Sequence, residues 1–310
     1  MNTRAAIGVA GAIGAALLAL PANAQVLDLD PPDIASVAGN VDVIVGKADR
    51  DKRMTIPVAV EGSGPYDFLI DTGSQRTVLS RDLAGRLALA AGPTVNIVGV
   101  AGTAERVPTA YVDQIDVGSR ELFGTHAPLF EAHNIGADGI IGTDSLQDQR
   151  VLLDFGNNRM EVGSKNELGG NRGYEIVVTA RSLSGQLVMT RAEIDGVRVS
   201  VIIDTGATYS VGNRALQKAL ARRRSNDQEV TLRSVTGHQV TAQIGIARAL
   251  KLRRITLENV AIAFADSPAF TSLELDDEPA LFLGMRELRV FDRVAIDFSR
   301  RQVLFDVPRT

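Results

Sequence analysis

FLIDTGSQRTVLS, residues 68–80, is the stretch on which the reading of this chain turns. Phe68, Leu69 and Ile70 form an apolar run of the kind a sheet buries on both faces. The chain then presents a carboxylate, Asp71, and turns through Thr72, Gly73 and Ser74. Asp, Thr, Gly and Ser are ordinary turn residues after a strand, and three residues make a weak motif. On this stretch alone, a plain turn and a functional site stand level.

A second copy separates them. MTIPVAVEGSGPYDFLIDTGS (54–74) is echoed by MTRAEIDGVRVSVIIDTGA (189–207). After each copy comes a segment with apolar residues at helical spacing, RDLAGRLALA (81–90) and NRALQKALARR (213–223), opened by a polar residue suited to capping. Glycine turns follow in VGVAGTAERV (98–107) and RSVTGHQV (233–240), then GIIGTDSL (139–146) and LFLGMREL (281–288). VLLDFGNNRMEV (151–162) and VAIDFSRRQVLF (294–305) close the two series. Matched order at a near-constant interval means two copies of one domain. Short apolar segments broken by Gly, Asn and Asp turns predict an all-β fold with one or two short helices per copy. The expected lobes are residues 42–162 and 174–310, joined by the glycine-rich linker GSKNELGGNRG (163–173).

The repeat gives Asp71 a partner, Asp204, at the end of an equivalent strand. If the copies pack about a pseudo-twofold axis, the two carboxylates meet and share one proton, because close like charges cannot both ionise comfortably. Such a dyad activates a water with one carboxylate while the other polarises a carbonyl. Gly73 and Gly206 permit the tight turns. Thr72 and Thr205 carry hydroxyls able to tie the halves together. Ser74 is expected to hydrogen-bond the outer oxygen of Asp71, and Ala207 cannot do the same for Asp204. The second aspartate is therefore predicted to be the less stabilised anion.

Other acids read as structural. Asp154 and Asp297 are expected to tie or cap strands, and Asp138 and Asp144 to serve loops or helix ends, with no acidic counterpart to Asp144 foreseen in MREL. Tyr66 and Tyr209 flank the aspartate loops, and Tyr209 is the one expected to shape a cleft.

Composition narrows the classes further. The 310 residues are 45% apolar and 23% charged, as in an ordinary globular protein, with a scattered net charge of −4. The run Arg222-Arg223-Arg224 reads as a solvated helix end, and no basic stripe with interleaved aromatics points to nucleic acid. Cysteine is absent, which excludes disulfides and thiolate chemistry; His126, His133 and His238 are dispersed without metal-ligand spacing, so no metal or cofactor is expected. Arg4, the uncharged run Ala5–Leu20, Pro21 and Ala22-Asn23-Ala24 read as a signal peptide cut after Ala24. The run is short for a retained anchor. The mature chain is thus expected in a periplasm or outside the cell, with no stable membrane span. Residues 25–41 form an extended lead-in.

FLIDTGS and VIIDTGA, each followed by a hydrophobic-hydrophobic-Gly motif (Ile141-Gly142 and Leu283-Gly284), resemble the two active-site loops of aspartic proteases. The resemblance covers roughly residues 42–308 and is nearest to bacterial retropepsin-like proteins, although cysteines and a clear flap tyrosine are missing. It implies a two-lobed acid-protease β-barrel fold in which each Gly motif threads the Asp-Thr-Gly turn in a ψ shape. It further implies a catalytic pair Asp71 and Asp204, flaps around Gly102 and Gly237, and a polypeptide substrate cleaved by a monomer. The expected role is processing of exported or membrane proteins; the alternative is a catalytically silent peptide-binding protein with the same cleft.

Overall fold

The computed structural model describes residues 54–308 except 102–103, 118–119, 164–165, 167 and 221–228, together with the backbone of three short strands, Gly11–Ala12, Asp42–Val45 and Lys47–Ala48. Residues 25–41, nearly all of the leader, Gly102 and the Arg222–Arg224 run lie outside it. No helix among the described residues is long and apolar enough to cross a membrane.

Among the described residues there are two closed sheets, one shared sheet and a two-stranded ribbon of Val95–Ile97 with Glu105–Val107. The N-terminal sheet runs Lys47–Ala48, Met54–Val60, Ser63–Ile70, Gly139–Ile141, Val78–Ser80, Arg120–Phe130, Thr109–Val117, and closes where Val60 pairs with Ile115. The C-terminal sheet repeats that order around Val197–Ile203, Ala280–Leu283 and Ser210–Gly212, and closes where Ala192 pairs with Leu252. Gly11–Ala12 lies at its edge. This is the two-lobed, all-β acid-protease architecture.

Local sequence accounts for the strands. Along Met54–Val60, Met54, Ile56, Val58 and Val60 are buried in the period-two pattern of a half-buried strand. Pro57, which cannot donate to a ladder, sits where this strand has a neighbour on one side only. Phe68, Leu69 and Ile70 are all buried because both faces of their strand are covered. Phe68 and Ile70 join the main core, while Leu69 joins a separate cluster with Val78, Ile97, Phe130, Ile135 and Ile140. In the second lobe Val201 and Ile203 face the main core, and Ile202 faces a cluster with Val188, Val211, Phe270 and Phe282.

The first helix is shorter than its apolar spacing suggests. The first spans Arg81–Arg86, with the Ser80 hydroxyl accepting from the Leu83 N–H as N-cap. It stops before residue 90 because Ala88 turns left-handed (φ 50°) and the chain is drawn into a bridge between Ala91 and Ala110. The second spans Arg214–Leu220, capped by Asn213 Oδ1 on the Leu216 N–H. Three further short helices are Ala132–Ile135, Met285–Leu288 and Pro268–Ser272, the last opened by Ser267 as N-cap and Pro268 at its first position.

The third sheet joins the lobes. Its order is Ile176–Thr179, Gln302–Asp306, Arg293–Asp297, Arg150–Asp154, Arg159–Gly163, Asp42–Val45. At its centre Arg150–Asp154 of one copy lies antiparallel to Arg293–Asp297 of the other, with Leu152 opposite Ala295. Equivalent strands pairing across their own midpoint are what a pseudo-twofold axis requires.

Candidate active site

Each aspartate is delivered by a ψ-shaped crossing. Gly139–Ile141 runs parallel to Ser63–Ile70 and antiparallel to Val78–Ser80, and the Asp71 N–H donates to the Ile141 carbonyl at 3.0 Å. In the second lobe Ala280–Leu283 runs parallel to Val197–Ile203, and the Asp204 N–H donates to the Leu283 carbonyl at 3.0 Å. The glycines that follow, Gly142 and Gly284, lie against the backbone of Arg76 and Tyr209, where a Cβ has no room. Their N–H groups donate to the hydroxyls of Thr77 and Ser210, both at 3.1 Å.

Beneath each crossing lies a buried acid. Asp144 Oδ1 accepts from the Thr77 hydroxyl at 2.8 Å, and Glu287 Oε2 accepts from the Ser210 hydroxyl at 2.5 Å. Asp144 therefore does have an acidic counterpart, one residue beyond the position that direct alignment assigns to it; the longer glutamate reaches the same hydroxyl. Burial pushes both carboxyls above their ordinary range, against the bonds from Thr77 and Ser210 that favour the charged forms.

The loops themselves interlock. The Thr72 hydroxyl donates to the Ile203 carbonyl at 2.8 Å and accepts from the Thr205 N–H at 3.3 Å. Reciprocally, the Thr205 hydroxyl donates to the Ile70 carbonyl at 2.7 Å and accepts from the Thr72 N–H at 3.0 Å. Every one of these bonds crosses from one lobe to the other.

Asp71 and Asp204 are each 1% exposed, so the pair is shielded from bulk water. Gly73 lies directly over the Asp204 carboxylate, where a Cβ would stand 2.7 Å from Cγ, and Gly206 lies still closer over that of Asp71. Asp71 Oδ1 accepts from the Gly73 N–H at 2.8 Å. Asp204 Oδ1 accepts from two amides, Gly206 and Ala207, both at 3.0 Å. Burial, and next the charge of Asp71, push the Asp204 carboxyl well above its ordinary value; the two amide bonds pull the other way without winning. Both N–H groups fall on the same oxygen, Oδ1.

Ser74 corrects the sequence reading. Its hydroxyl donates to the Arg76 carbonyl at 2.8 Å instead of bonding Asp71, because the loop turns it back on its own chain. The outer face of Asp204 is not short of donors either, since the main chain of Ala207 supplies one. Among the remaining acids, Asp154 caps its turn by accepting from Asn157, Asp297 pairs with Arg150, and Asp138 pairs with Arg86. Tyr66 is half-buried against the main core, and Tyr209 is half-buried beside Gly284. Among the described residues no cluster of His, Asp and Glu could hold a metal.

Two hairpins reach across the lobe junction. Val98 and Val100, beyond the strand Val95–Ile97, are buried in the second lobe's cluster with Ile202, Ala207 and Val211. Val235, in the turn holding Gly237 (φ 87°), is buried in the first lobe's cluster with Leu69 and Ile140. Gly99 crosses Ser234 with no space for a side chain, and His238 Nδ1 stands 2.7 Å from Glu105 Oε1 between the hairpins. Sequence inspection located these turns but gave no sign that Val98, Val100 and Val235 are each buried in the opposite lobe.

No curated protein matches the chain. The family described as aspartyl protease matches it in two blocks, residues 56–145 and 190–286, which together make up more than half its length. Each block contains one aspartate loop and its ψ crossing, and the chain belongs to the aspartyl protease family.

Proposed function

We propose that this protein is an exported aspartic endopeptidase that cleaves peptide bonds with Asp71 and Asp204. The observation that carries this reading is the meeting of two buried carboxylates, each beneath the glycine of the opposite loop. Asp71, bearing the charge, takes a proton from a water set between the pair, and the Asp204 carboxyl donates to the substrate carbonyl. As the tetrahedral intermediate collapses, the dyad returns a proton to the leaving amine. The interlocked Thr72 and Thr205 hold the carboxylates in register throughout.

Activity is expected on a bell-shaped pH profile. It falls on the alkaline side as Asp204 loses its proton, and on the acid side as Asp71 gains one; the two limbs belong to the pair. The leader ending at Ala24 supports export, and one dyad per chain supports action as a monomer on exported or membrane polypeptides. The test is hydrolysis of an unfolded peptide library. Wild type should cleave and be blocked by a transition-state analogue, while Asp71→Asn and Asp204→Asn should each lose at least about 10³-fold in kcat/KM. Binding of peptides by wild type without any turnover would instead identify a silent peptide-binding protein.

A further inference from the structure

The two catalytic loops repeat one another down to the backbone until the residue after each glycine. In the second lobe the Ala207 N–H, which belongs to the Gly206–Ala207 peptide, donates to the Asp204 carboxylate. In the first lobe the Ser74 N–H, in the equivalent Gly73–Ser74 peptide, donates to the main-chain oxygen of Asp71 at 3.2 Å. A side chain stands at that point of difference. Gln186 is wholly buried, and its Nε2 donates to the carbonyl oxygen of Gly73, the other end of the same peptide.

Gln186 belongs to the second lobe. It begins the strand Gln186–Ile194, after a turn in which Ser184 and Gly185 are both left-handed (φ 48° and 82°). Gln147 of the first lobe fixes this turn, donating to the Gly185 carbonyl at 3.2 Å and to the Thr143 carbonyl at 2.8 Å. Extending the Val188–Ile202 register two places sets Gln186 beside Asp204. Two positions before Thr55 the sequence has Arg53, so the repeat carries no second glutamine at this place.

We infer that Gln186 is a positioning residue: by holding the Gly73 carbonyl from across the lobe junction, it sets the Gly73–Ser74 peptide so that the Ser74 N–H faces the main chain of Asp71 instead of its carboxylate. The side chain makes the two halves of the dyad unlike by bonding the main chain of Gly73. The amide's orientation is unambiguous, since only the NH₂ end can serve a carbonyl. Its Oε1 has no hydrogen-bond partner among the described residues, so replacing the amide with an apolar isostere removes an orphaned acceptor along with the donor.

The inference rests on the proposed two-aspartate chemistry, and Gln186→Met tests it. Release of the peptide lets the Ser74 N–H swing to the Asp71 carboxylate, as Ala207 does for Asp204. An added donor favours the anion, so the acid limb of the kcat/KM profile should move down by about 0.5–1 pH unit, with the alkaline limb displaced less. Charged groups on the elements packed around the loops (Arg76, Asp144, Arg286, Glu287, and Glu105 and His238 on the hairpins) are the same in both proteins, so they do not produce the difference. Crystal structures of both proteins supply a readout independent of turnover: Ser74 N within hydrogen-bond distance of an Asp71 carboxylate oxygen in the variant alone. Gln186→Leu serves as the second variant should the first fail to fold. An unshifted acid limb, or an equal loss of activity at every pH, in a folded variant whose Ser74 has not moved would overturn the assignment. Wild type that cleaves nothing would instead sink the two-aspartate reading, while the crystal comparison would still judge Gln186.

Discussion

Arg150 and Asp297 face one another across the central strand pair of the shared sheet, both side chains fully buried, with Arg150 Nη2 2.6 Å from Asp297 Oδ2. Arg150 also donates to the Gly170 carbonyl and to Asn171 Oδ1, tying down the segment that connects the lobes. Burial alone would raise the Asp297 carboxyl, but the bonds from Arg150, Ser299 and Arg300 outweigh it and hold the group below its ordinary value. The repeat supplies a mirror pair, Arg293 opposite Asp154, yet Arg293 turns to Asp306. The first copy has Gly163 where the second has Asp306, so only one of the two arginines is offered that alternative.

Removing one partner of the buried pair strands the other. Arg150→Met and Asp297→Asn should each destabilise the fold by about 3–5 kcal/mol, and joint replacement by apolar residues should cost less than either alone. Arg293→Met, at a pair one-third exposed on the arginine side, should cost under about 1 kcal/mol. Denaturant melts of the four variants check the ranking; an Arg293 variant as damaged as Arg150→Met would contradict it.

The threonine interlock makes a sharper demand. Thr72→Val keeps the shape but strips the Ile203 carbonyl and the Thr205 N–H of their partner, at a cost of about 2–4 kcal/mol. Thr72→Ser keeps the hydroxyl and should recover most of that. Because the lost bonds join the lobes, kcat should fall along with stability in the valine variant, measured at a temperature where both proteins remain folded. Recovery by serine to no better than valine would show that the methyl, and not the hydroxyl, matters.

Buried acids impose a pH dependence with a definite sign. Asp144, Glu287 and Asp204 all have folded values above their ordinary ones, so between the two values the folded state binds more protons than the unfolded state. Their contribution is full below the ordinary values of 3.8 and 4.5 and is lost as pH rises through the folded values. Asp297, held low, acts oppositely and loses its contribution as pH falls. Asp144→Asn and Glu287→Gln should therefore flatten the decline in stability between mildly acidic and neutral pH. Thermal midpoints taken across that range check this; a decline as steep as that of wild type would count against it.

How far the sequence could be read depended on the range of the interaction. The DFLIDTGS and VSVIIDTGA strands were legible because a run buried on both faces and ended by Asp-Thr-Gly is unusual, and its repetition is more so. The ψ glycines followed from the same repeat. Glu287 was missed because equal spacing puts Arg286 opposite Asp144, and alignment carries no information on side-chain length. Ser74 was misassigned because a hydroxyl beside a carboxylate in sequence need not face it once the loop curls. Gln186 and Arg150 left no trace, since each acts on a partner more than a hundred positions away. The shortening of the first helix reflects competition from the Ala91–Ala110 bridge, a contact that helical propensity does not weigh.

The crossed hairpins couple the two lobes a second time, away from the shared sheet. Drawing Val98 and Val100 out of the second lobe leaves Ser234 without Gly99 beneath it, and lifting Val235 out of the first lobe takes His238 away from Glu105. A change at either segment is thus felt at the other, so the two lobes cannot be perturbed independently there.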